Sequence, residues 1–177
     1  VSQLHRSPGL FFGTSMHPNG TQLYSARIIP FKGSWIEFTT DIRDVLWAYI
    51  DRKKKLPLTT LLRALGFSTD FELLSVFDLS EEVSTKSKKA FKDVVGRRLA
   101  TDIVKEEVEE VTDDETGEIV ETVNRVVVLA REHELSEEDY DIIKELKLKT
   151  VYVLKVSNED ADRSVIINTL RKDTSHD

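Results

Sequence analysis

The segment VLWAYIDRKKKLPLTTLLRALG, residues 45–66, changes from a strand pattern to a helix pattern. Residues 45–50 are rich in the β-branched and aromatic side chains that strands favour. Pro57 suits the first turn of a helix, and the leucines after it recur at spacings of three and four until Gly66, which can end the helix. The segment therefore predicts a strand, a basic connection and a short helix.

Residues 1–50 as a whole are predicted to form β structure. Residues 22–29 have mixed strand character, and residues 34–39 alternate, with Trp35 and Glu37 on one face. Turn-forming residues separate the predicted strands at positions 7–9, 18–20 and 32–33.

Two further helices are predicted after Gly66. Thr69 and Glu72 have the spacing of a capping box, which opens a helix that ends near Phe77. Another helix is predicted to begin at Ser80 and to run through a lysine-rich stretch to about Val95.

The rest of the chain predicts a second β region with one helix. Residues 98–129 form two strands joined by a turn at residues 113–118, in which Gly117 is available for positive φ. Residues 136–139 are predicted to cap a helix that ends near Leu146, and residues 150–154 form a last strand. Because strands and helices are grouped and do not alternate, the predicted fold class is α+β.

Charge is distributed unevenly along the 177 residues, whose net charge is −7. Residues 1–63 hold nine Lys/Arg and four Asp/Glu, a net charge of +5, and residues 64–177 hold sixteen and twenty-eight, a net charge of −12. This asymmetry predicts two surfaces with different partners. Four segments are predicted: a β segment with a basic edge, a helical connection, an acidic β-rich module and a return segment, at residues 1–66, 67–97, 98–160 and 161–177.

The residue inventory predicts no catalytic, metal or cofactor site in the chain. The absence of cysteine excludes disulfides and Cys-ligated zinc or iron–sulfur sites, and the four histidines show no i, i+4 pair. Residues 113–118 do not fit the calcium-loop template, and the sequence contains no P-loop, nucleophile elbow or Asp-rich magnesium loop. No apolar run approaches the roughly 20 residues that cross a bilayer, so no membrane partner is expected.

Two features suggest contact with nucleic acid, and each has a simpler interpretation. Four consecutive cations, Arg52, Lys53, Lys54 and Lys55, could contact phosphates, or they could form a solvated turn beside apolar strands. Trp35 follows Lys32 closely and could stack on an unpaired base, although a tryptophan on an amphipathic strand is more often part of the core.

Several short stretches closely resemble the β subunit of bacterial RNA polymerase, in the order and at the spacing of that family. They are VSQLHRSPG at 1–9, YSARIIP at 24–30, GSW at 33–35, IDRKKKLP at 50–57 and LRALG at 62–66. The resemblance lies where the protrusion gives way to the lobe, the second domain of β. It is looser from residue 67 onward and returns in INTLR at 167–171.

The resemblance implies roles for individual residues. Val1 and Gln3 match positions at the edge of the pocket that binds rifamycin antibiotics. Arg6 and Trp35 match residues that hold an unpaired non-template guanine, with Trp35 stacking on a neighbouring base, which replaces the core interpretation. Basic lobe residues that face DNA in the cleft are matched by Arg52, Lys53 and Lys54. Lysine stands here where some relatives have arginine at two of these positions, which keeps the charge but not the bidentate geometry.

The resemblance also implies a larger assembly. With neither an initiator Met nor a signal-peptide pattern, the chain is expected to be a fragment of a DNA-directed RNA polymerase, a cytoplasmic and nucleoid-associated nucleotidyltransferase whose magnesium is bound by another subunit. Its expected partners are DNA, the β′, α and σ subunits, and transcription regulators. One alternative is a protein-interaction module that binds a regulator through the acidic β-rich half. Another is a stand-alone enzyme of unknown class.

Overall fold

The computed structural model describes residues 4–112 and 119–175. In chain order the elements are β1 (Gly9–Met16), β2 (Gln22–Ile29), β3 (Ile36–Thr40), β4 (Leu46–Ile50), β5 (Lys54–Pro57), α1 (Leu58–Ala64), α2 (Asp70–Val76), β6 (Ser80–Ser84), α3 (Lys88–Lys92), β7 (Ile103–Thr112), β8 (Ile119–Leu129), α4 (Asp139–Glu145), β9 (Thr150–Leu154), α5 (Asn158–Arg163) and α6 (Val165–Arg171). The chain divides into two compact units. We call Val1–Phe77 with Glu159–Asp177 the sheet unit, and Asp78–Asn158 the ribbon unit.

The sheet unit contains a five-stranded antiparallel sheet in the order β1-β2-β3-β4-β5. Since side chains alternate along a strand, the register gives the sheet two different faces. The polar face carries Arg27, Glu37, Tyr49 and Lys55, which lie across four neighbouring strands. The apolar face carries Ala26, Phe38, Ala48 and Leu56 at the next position along the same strands.

Helices α1 and α6 pack against β4, and α2 packs against both of these helices. The buried hydrophobic side chains of the sheet unit include Ala48, Leu58, Leu73, Leu74, Ile167 and Leu170. Thr169 is fully buried in α6, where its hydroxyl donates to the carbonyl of Val165 at 2.6 Å and accepts the amide of Leu46 at 2.7 Å. This hydroxyl therefore joins α6 to the first residue of β4.

Arg63, at the end of α1, joins three separate parts of the sheet unit. Its Nε lies 3.0 Å from Oδ2 of Asp173, and it also pairs with Asp70 in α2 and donates to the carbonyl of Ser68 at 2.5 Å. Only 11% of the Arg63 side chain is exposed, and the Asp173 side chain is fully buried. Since α1 follows β5 without a loop, this network also fixes the position of β5.

The ribbon unit has a separate core. β6 pairs with β9 in an antiparallel ladder, and β7 pairs with β8 as a long hairpin. The core is a cluster of apolar side chains: Phe91, Val94, Leu99, Ile103, Leu129, Leu135, Ile143, Val151 and Val153.

Much of the predicted secondary structure is confirmed. The α+β class is correct, β2, β4 and β9 lie where strands were predicted, and α1 lies between Pro57 and Gly66. The capping box is also present, because Thr69 accepts the amide of Glu72 and the Glu72 carboxylate accepts the amide of Thr69. The boundaries of the four predicted segments stay a prediction.

The predicted helix from Ser80 to Val95 is wrong at its start. Ser80–Ser84 is strand β6, and only Lys88–Lys92 is helical. The alternating exposure of β6 and its pairing with β9 explain the difference, because that partner strand lies far away in the sequence. The strands β1 and β5 and the helices α5 and α6 were not predicted as separate elements.

The start of α4 agrees with the prediction, because its N-cap, Glu138, lies within residues 136–139. Ser136 donates its amide and its hydroxyl to the carboxylate of Asp139, at 2.8 and 2.9 Å. The predicted turn with Gly117 lies outside the described residues. In the part of the chain that the structure describes, no helix is long and apolar enough to span a membrane.

Candidate nucleic-acid interface

The basic run begins in the tight turn between β4 and β5. Asp51 and Arg52 have φ angles of 50° and 57°, and the amide of Lys53 donates to the carbonyl of Ile50 at 3.0 Å. The left-handed conformation costs about 1–2 kcal/mol for each residue that has a Cβ. This turn therefore needs compensating contacts.

Asp51 supplies those contacts by holding the backbone next to Trp35. Its carboxylate accepts the hydroxyl of Ser34 at 2.5 Å and the amide of Trp35 at 2.9 Å, while its own amide donates to the Trp35 carbonyl at 3.0 Å. These hydrogen bonds, first from the Ser34 hydroxyl and then from the Trp35 amide, hold the pKa of Asp51 below its ordinary value. The turn and the tryptophan segment are thus fixed to each other.

Replacing Asp51 with alanine is expected to lower the free energy of unfolding, since the variant loses hydrogen bonds to Ser34 and Trp35 and keeps a strained φ. Asp51→Asn retains one carbonyl oxygen and a residue type that tolerates this φ, so it should lose less. Urea denaturation followed by tryptophan fluorescence measures both variants. Equal stability of Asp51→Ala and the parent chain would contradict the assigned role.

The ring of Trp35 is half-buried and has two guanidinium groups close to it. The Cζ of Arg27 lies 5.7 Å from the ring centroid, and the Cζ of Arg52 lies 5.6 Å from it. Glu37 pairs with Arg27 at 3.0 Å and lies 3.9 Å from Arg52. The carboxylate neutralises part of this charge and helps to orient both guanidinium groups toward the ring.

Arg6 lies beside the same tryptophan. Its guanidinium donates to the carbonyl of Gly33 at 2.5 Å. Arg6, Trp35, Asp51 and Arg52 line an open depression of about 240 Å³. The structure therefore brings together two residues, Arg6 and Trp35, that are 29 positions apart in the sequence.

The four cations of the basic run do not all lie together. Arg52 reaches Trp35, and Lys55 lies on the polar face with its Nζ 4.2 Å from the Trp47 ring centroid. Lys53 and Lys54 are exposed, and the register places Lys54 beside Ile50, on the opposite face of the sheet from Lys55. Val1 and Gln3, predicted at the edge of an antibiotic pocket, lie outside the described residues.

Sequence reasoning missed three contributors to this site, which are Arg27, Glu37 and Asp51. The signal in the sequence was the acidic Asp51 directly before the basic Arg52, which could have suggested a turn stabilised by a carboxylate. Among residues 4–112 and 119–175, no group of three His, Cys, Asp or Glu side chains is placed to bind a metal ion.

The geometry suits an unpaired nucleotide better than a small-molecule reaction. An aromatic ring beside guanidinium groups can stack on a base, and exposed cations nearby can contact phosphates. Comparison with known proteins gives the family. The profile described as RNA polymerase Rpb2, domain 2, matches residues 6–115.

The chain belongs to this family.

The relatives of this Rpb2 domain 2 chain include bacterial proteins named DNA-directed RNA polymerase subunit beta. The protein of Porphyromonas gingivalis is 52% identical over 98% of this chain, and that of Phocaeicola vulgatus is 53% identical over 99%. The Salinibacter ruber protein is 52% identical over 99% of it. The chain spans 14% of the length of each relative. The resemblance to a segment of the bacterial β subunit is therefore confirmed.

Proposed function

We propose that this chain forms one wall of the DNA channel in a DNA-directed RNA polymerase, as a non-catalytic segment of its β subunit. The observation that carries the proposal is the depression formed by Arg6, Trp35, Asp51 and Arg52. This open depression combines an aromatic ring with guanidinium groups. Both kinds of group bind single-stranded nucleic acid.

The proposed mechanism is positioning. A displaced base stacks on the exposed part of Trp35, while Arg6 and Arg52 donate hydrogen bonds to its edge or to its phosphate. Lys53 and Lys54 attract the DNA backbone without reading its sequence. Asp51 holds the backbone of Trp35, and Glu37 orients Arg52, before DNA binds. This pre-organisation lowers the conformational entropy lost on binding.

In the whole enzyme this wall would act together with the β′, α and σ subunits, in the bacterial cytoplasm and associated with the nucleoid. Nucleotidyl transfer would take place elsewhere, at magnesium held by another subunit. The residues of this chain would bind and orient DNA, and none of them would move a proton or accept a leaving group.

Trp35→Ala is expected to weaken binding of the 177-residue chain to forked DNA that carries an unpaired non-template guanine. The loss should be about 1–3 kcal/mol, because one base loses its stacking partner. Trp35→Phe keeps an aromatic face and should lose less. Fluorescence anisotropy at fixed salt measures the affinities, and circular dichroism establishes that each variant is folded.

A fully paired duplex of the same sequence serves as the control DNA, on which Trp35→Ala should have little effect. Unchanged affinity of Trp35→Ala for the forked DNA would reject stacking at Trp35. An equal loss on the fork and on the duplex would show that the ring supports the fold of the site and contacts no base.

The alternative, a module that binds a regulator through residues 98–160, concerns the ribbon unit and not the depression beside Trp35. Retention of a regulator by the acidic module alone would favour it. Two observations favour binding of a regulator by this module: the long β7–β8 hairpin and the excess of acidic residues in the sequence at 98–160.

A further inference from the structure

A second depression lies on the polar face of the sheet, beside the one that contains Trp35. Its volume is about 260 Å³, and it is lined by Glu37, Thr39, Tyr49 and Arg52. Arg52 also lines the first depression. Because the two depressions share this residue, neighbouring nucleotides of one DNA strand can occupy them together.

Tyr49 gives the second depression an aromatic ring on which a base can stack. The residue is half-buried in β4, and the register places Glu37 opposite it on β3 and Lys55 opposite it on β5. The Nζ of Lys55 lies 5.9 Å from the centroid of the Tyr49 ring. Every base has a π face, so stacking on such a ring tolerates any base.

The polar groups around this ring match the parts of a nucleotide. Arg52 and Lys55 are exposed cations that can contact a phosphate. The carboxylate of Glu37 can accept a hydrogen bond from the amino group of a base, and the hydroxyl of Thr39 can donate or accept one. Arg27 pairs with Glu37 at 3.0 Å and offsets its charge, so the carboxylate repels a phosphate less strongly.

Lys55 lies close to a second aromatic ring on the same face. Its Nζ is 4.2 Å from the centroid of the Trp47 ring, and the indole Nε1 of Trp47 donates to Oδ2 of Asp41 at 3.0 Å. The attraction between an ammonium group and an indole ring favours this position of Lys55. A cation is therefore present beside the second depression before DNA binds.

We propose that the second depression binds the nucleotide next to the unpaired base at Trp35, and that the base of this nucleotide stacks on Tyr49. We call this place the Tyr49 subsite. The proposal rests on the proposed function, since it extends the path of the same displaced strand across the polar face. It predicts that the chain prefers DNA with more than one unpaired nucleotide.

Two forked DNAs test the Tyr49 subsite in the 177-residue chain. One carries a single unpaired non-template guanine, and the other carries three unpaired nucleotides with the guanine in the middle. By fluorescence anisotropy, the parent chain should bind the second fork about fivefold more tightly, since one more base is stacked. Tyr49→Leu should remove most of this preference, whereas Tyr49→Phe keeps an aromatic ring and should retain it.

Tyr24→Leu is the matched control for Tyr49→Leu. Tyr24 is 56% exposed and lies on the apolar face of the same sheet, two positions before Ala26. This variant should keep the full preference for the longer fork. A direct test places 2-aminopurine next to the guanine, because the fluorescence of this base falls when it stacks. The parent chain should quench it, and Tyr49→Leu should not.

The outcomes separate the Tyr49 subsite from the proposed function. Equal affinity of the parent chain for the two forks, a preference unchanged by Tyr49→Leu, or an equal loss with Tyr24→Leu would each overturn the subsite. An equal loss with Tyr49→Leu on both forks would also overturn it, because the ring would then support the fold and contact no base. None of these results bears on stacking at Trp35, which Trp35→Ala tests on the fork with a single guanine.

Discussion

Replacing Arg63 with methionine is expected to lower the free energy of unfolding of the sheet unit by about 3–5 kcal/mol, the cost of removing one partner from a buried ion pair. Two carboxylates would lose their shared cation, and the one on Asp173 is fully buried. Urea denaturation followed by tryptophan fluorescence reports on this unit, because Trp35 and Trp47 both belong to it.

Two matched variants separate the buried network from a general loss of charge. Arg171→Met removes a guanidinium that pairs with Asp162 at 3.0 Å in an exposed position, and it should cost less than about 1 kcal/mol. Arg63→Lys keeps the charge but cannot form the same forked contacts, so its loss should be intermediate. A cost for Arg63→Met no greater than that for Arg171→Met would refute the prediction.

The pH dependence of this effect follows from Asp173. Burial raises the pKa of Asp173, but the hydrogen bonds from Ser175 and Arg63 lower it by a larger amount. The pKa of Asp173 therefore lies well below the ordinary value of 3.8. A carboxylate with a depressed pKa stabilises the fold above pH 3.8, and this stabilisation disappears as the pH falls through the folded-state pKa. The difference in free energy of unfolding between the parent chain and Arg63→Met should therefore be constant near neutral pH and should become smaller below about pH 4.

Replacing all four cations at residues 52–55 with alanine is expected to reduce the salt dependence of DNA binding. Each phosphate contact contributes about 0.9 to the slope of log affinity against log salt on a duplex, so the slope should fall by about 3 to 4 if all four cations bind. The parent chain should bind with a dissociation constant on the order of 10⁻⁴ to 10⁻⁶ M, as for sequence-independent contacts. Anisotropy titrations at several salt concentrations give both quantities.

The chain offers a matched control in its ribbon unit. Alanine at Lys86, Lys88, Lys89 and Lys92 removes the same total charge at a different place. This variant should retain most of the slope, because its lysines lie outside the proposed DNA-binding surface. Equal slopes for the two fourfold variants would mean that the chain attracts DNA only through its overall charge.

The structure divides the four cations into two kinds. All four are exposed, but Arg52 and Lys55 lie close to the rings of Trp35 and Trp47. We expect the slope to depend on all four cations, but selectivity for an unpaired base should depend mainly on Arg52, since it lies beside Trp35. The DNA contacts of these residues and of Arg6 stay predictions.

Local signals in the sequence were sufficient for the elements that neighbouring residues stabilise. The leucine spacing after Pro57 and the Thr69–Glu72 capping box act within a few residues, and both predicted their helices correctly. β6 was missed because its pairing energy comes from β9, whose distant position no local pattern reveals. The short acidic and polar sequence of β6 also fits the start of a helix.

The sequence by itself determined the α+β class, the basic run, the acidic second half and, through its ordered short stretches, the family. The tertiary structure alone decided that Asp51 holds the backbone of Trp35, that Arg27 and Arg52 lie close to its ring, and that Arg63 joins α1 to Asp173. The reason is physical. Strand register and chain reversal bring these groups together, and their interactions depend on distances of a few ångströms between residues that are far apart in the sequence.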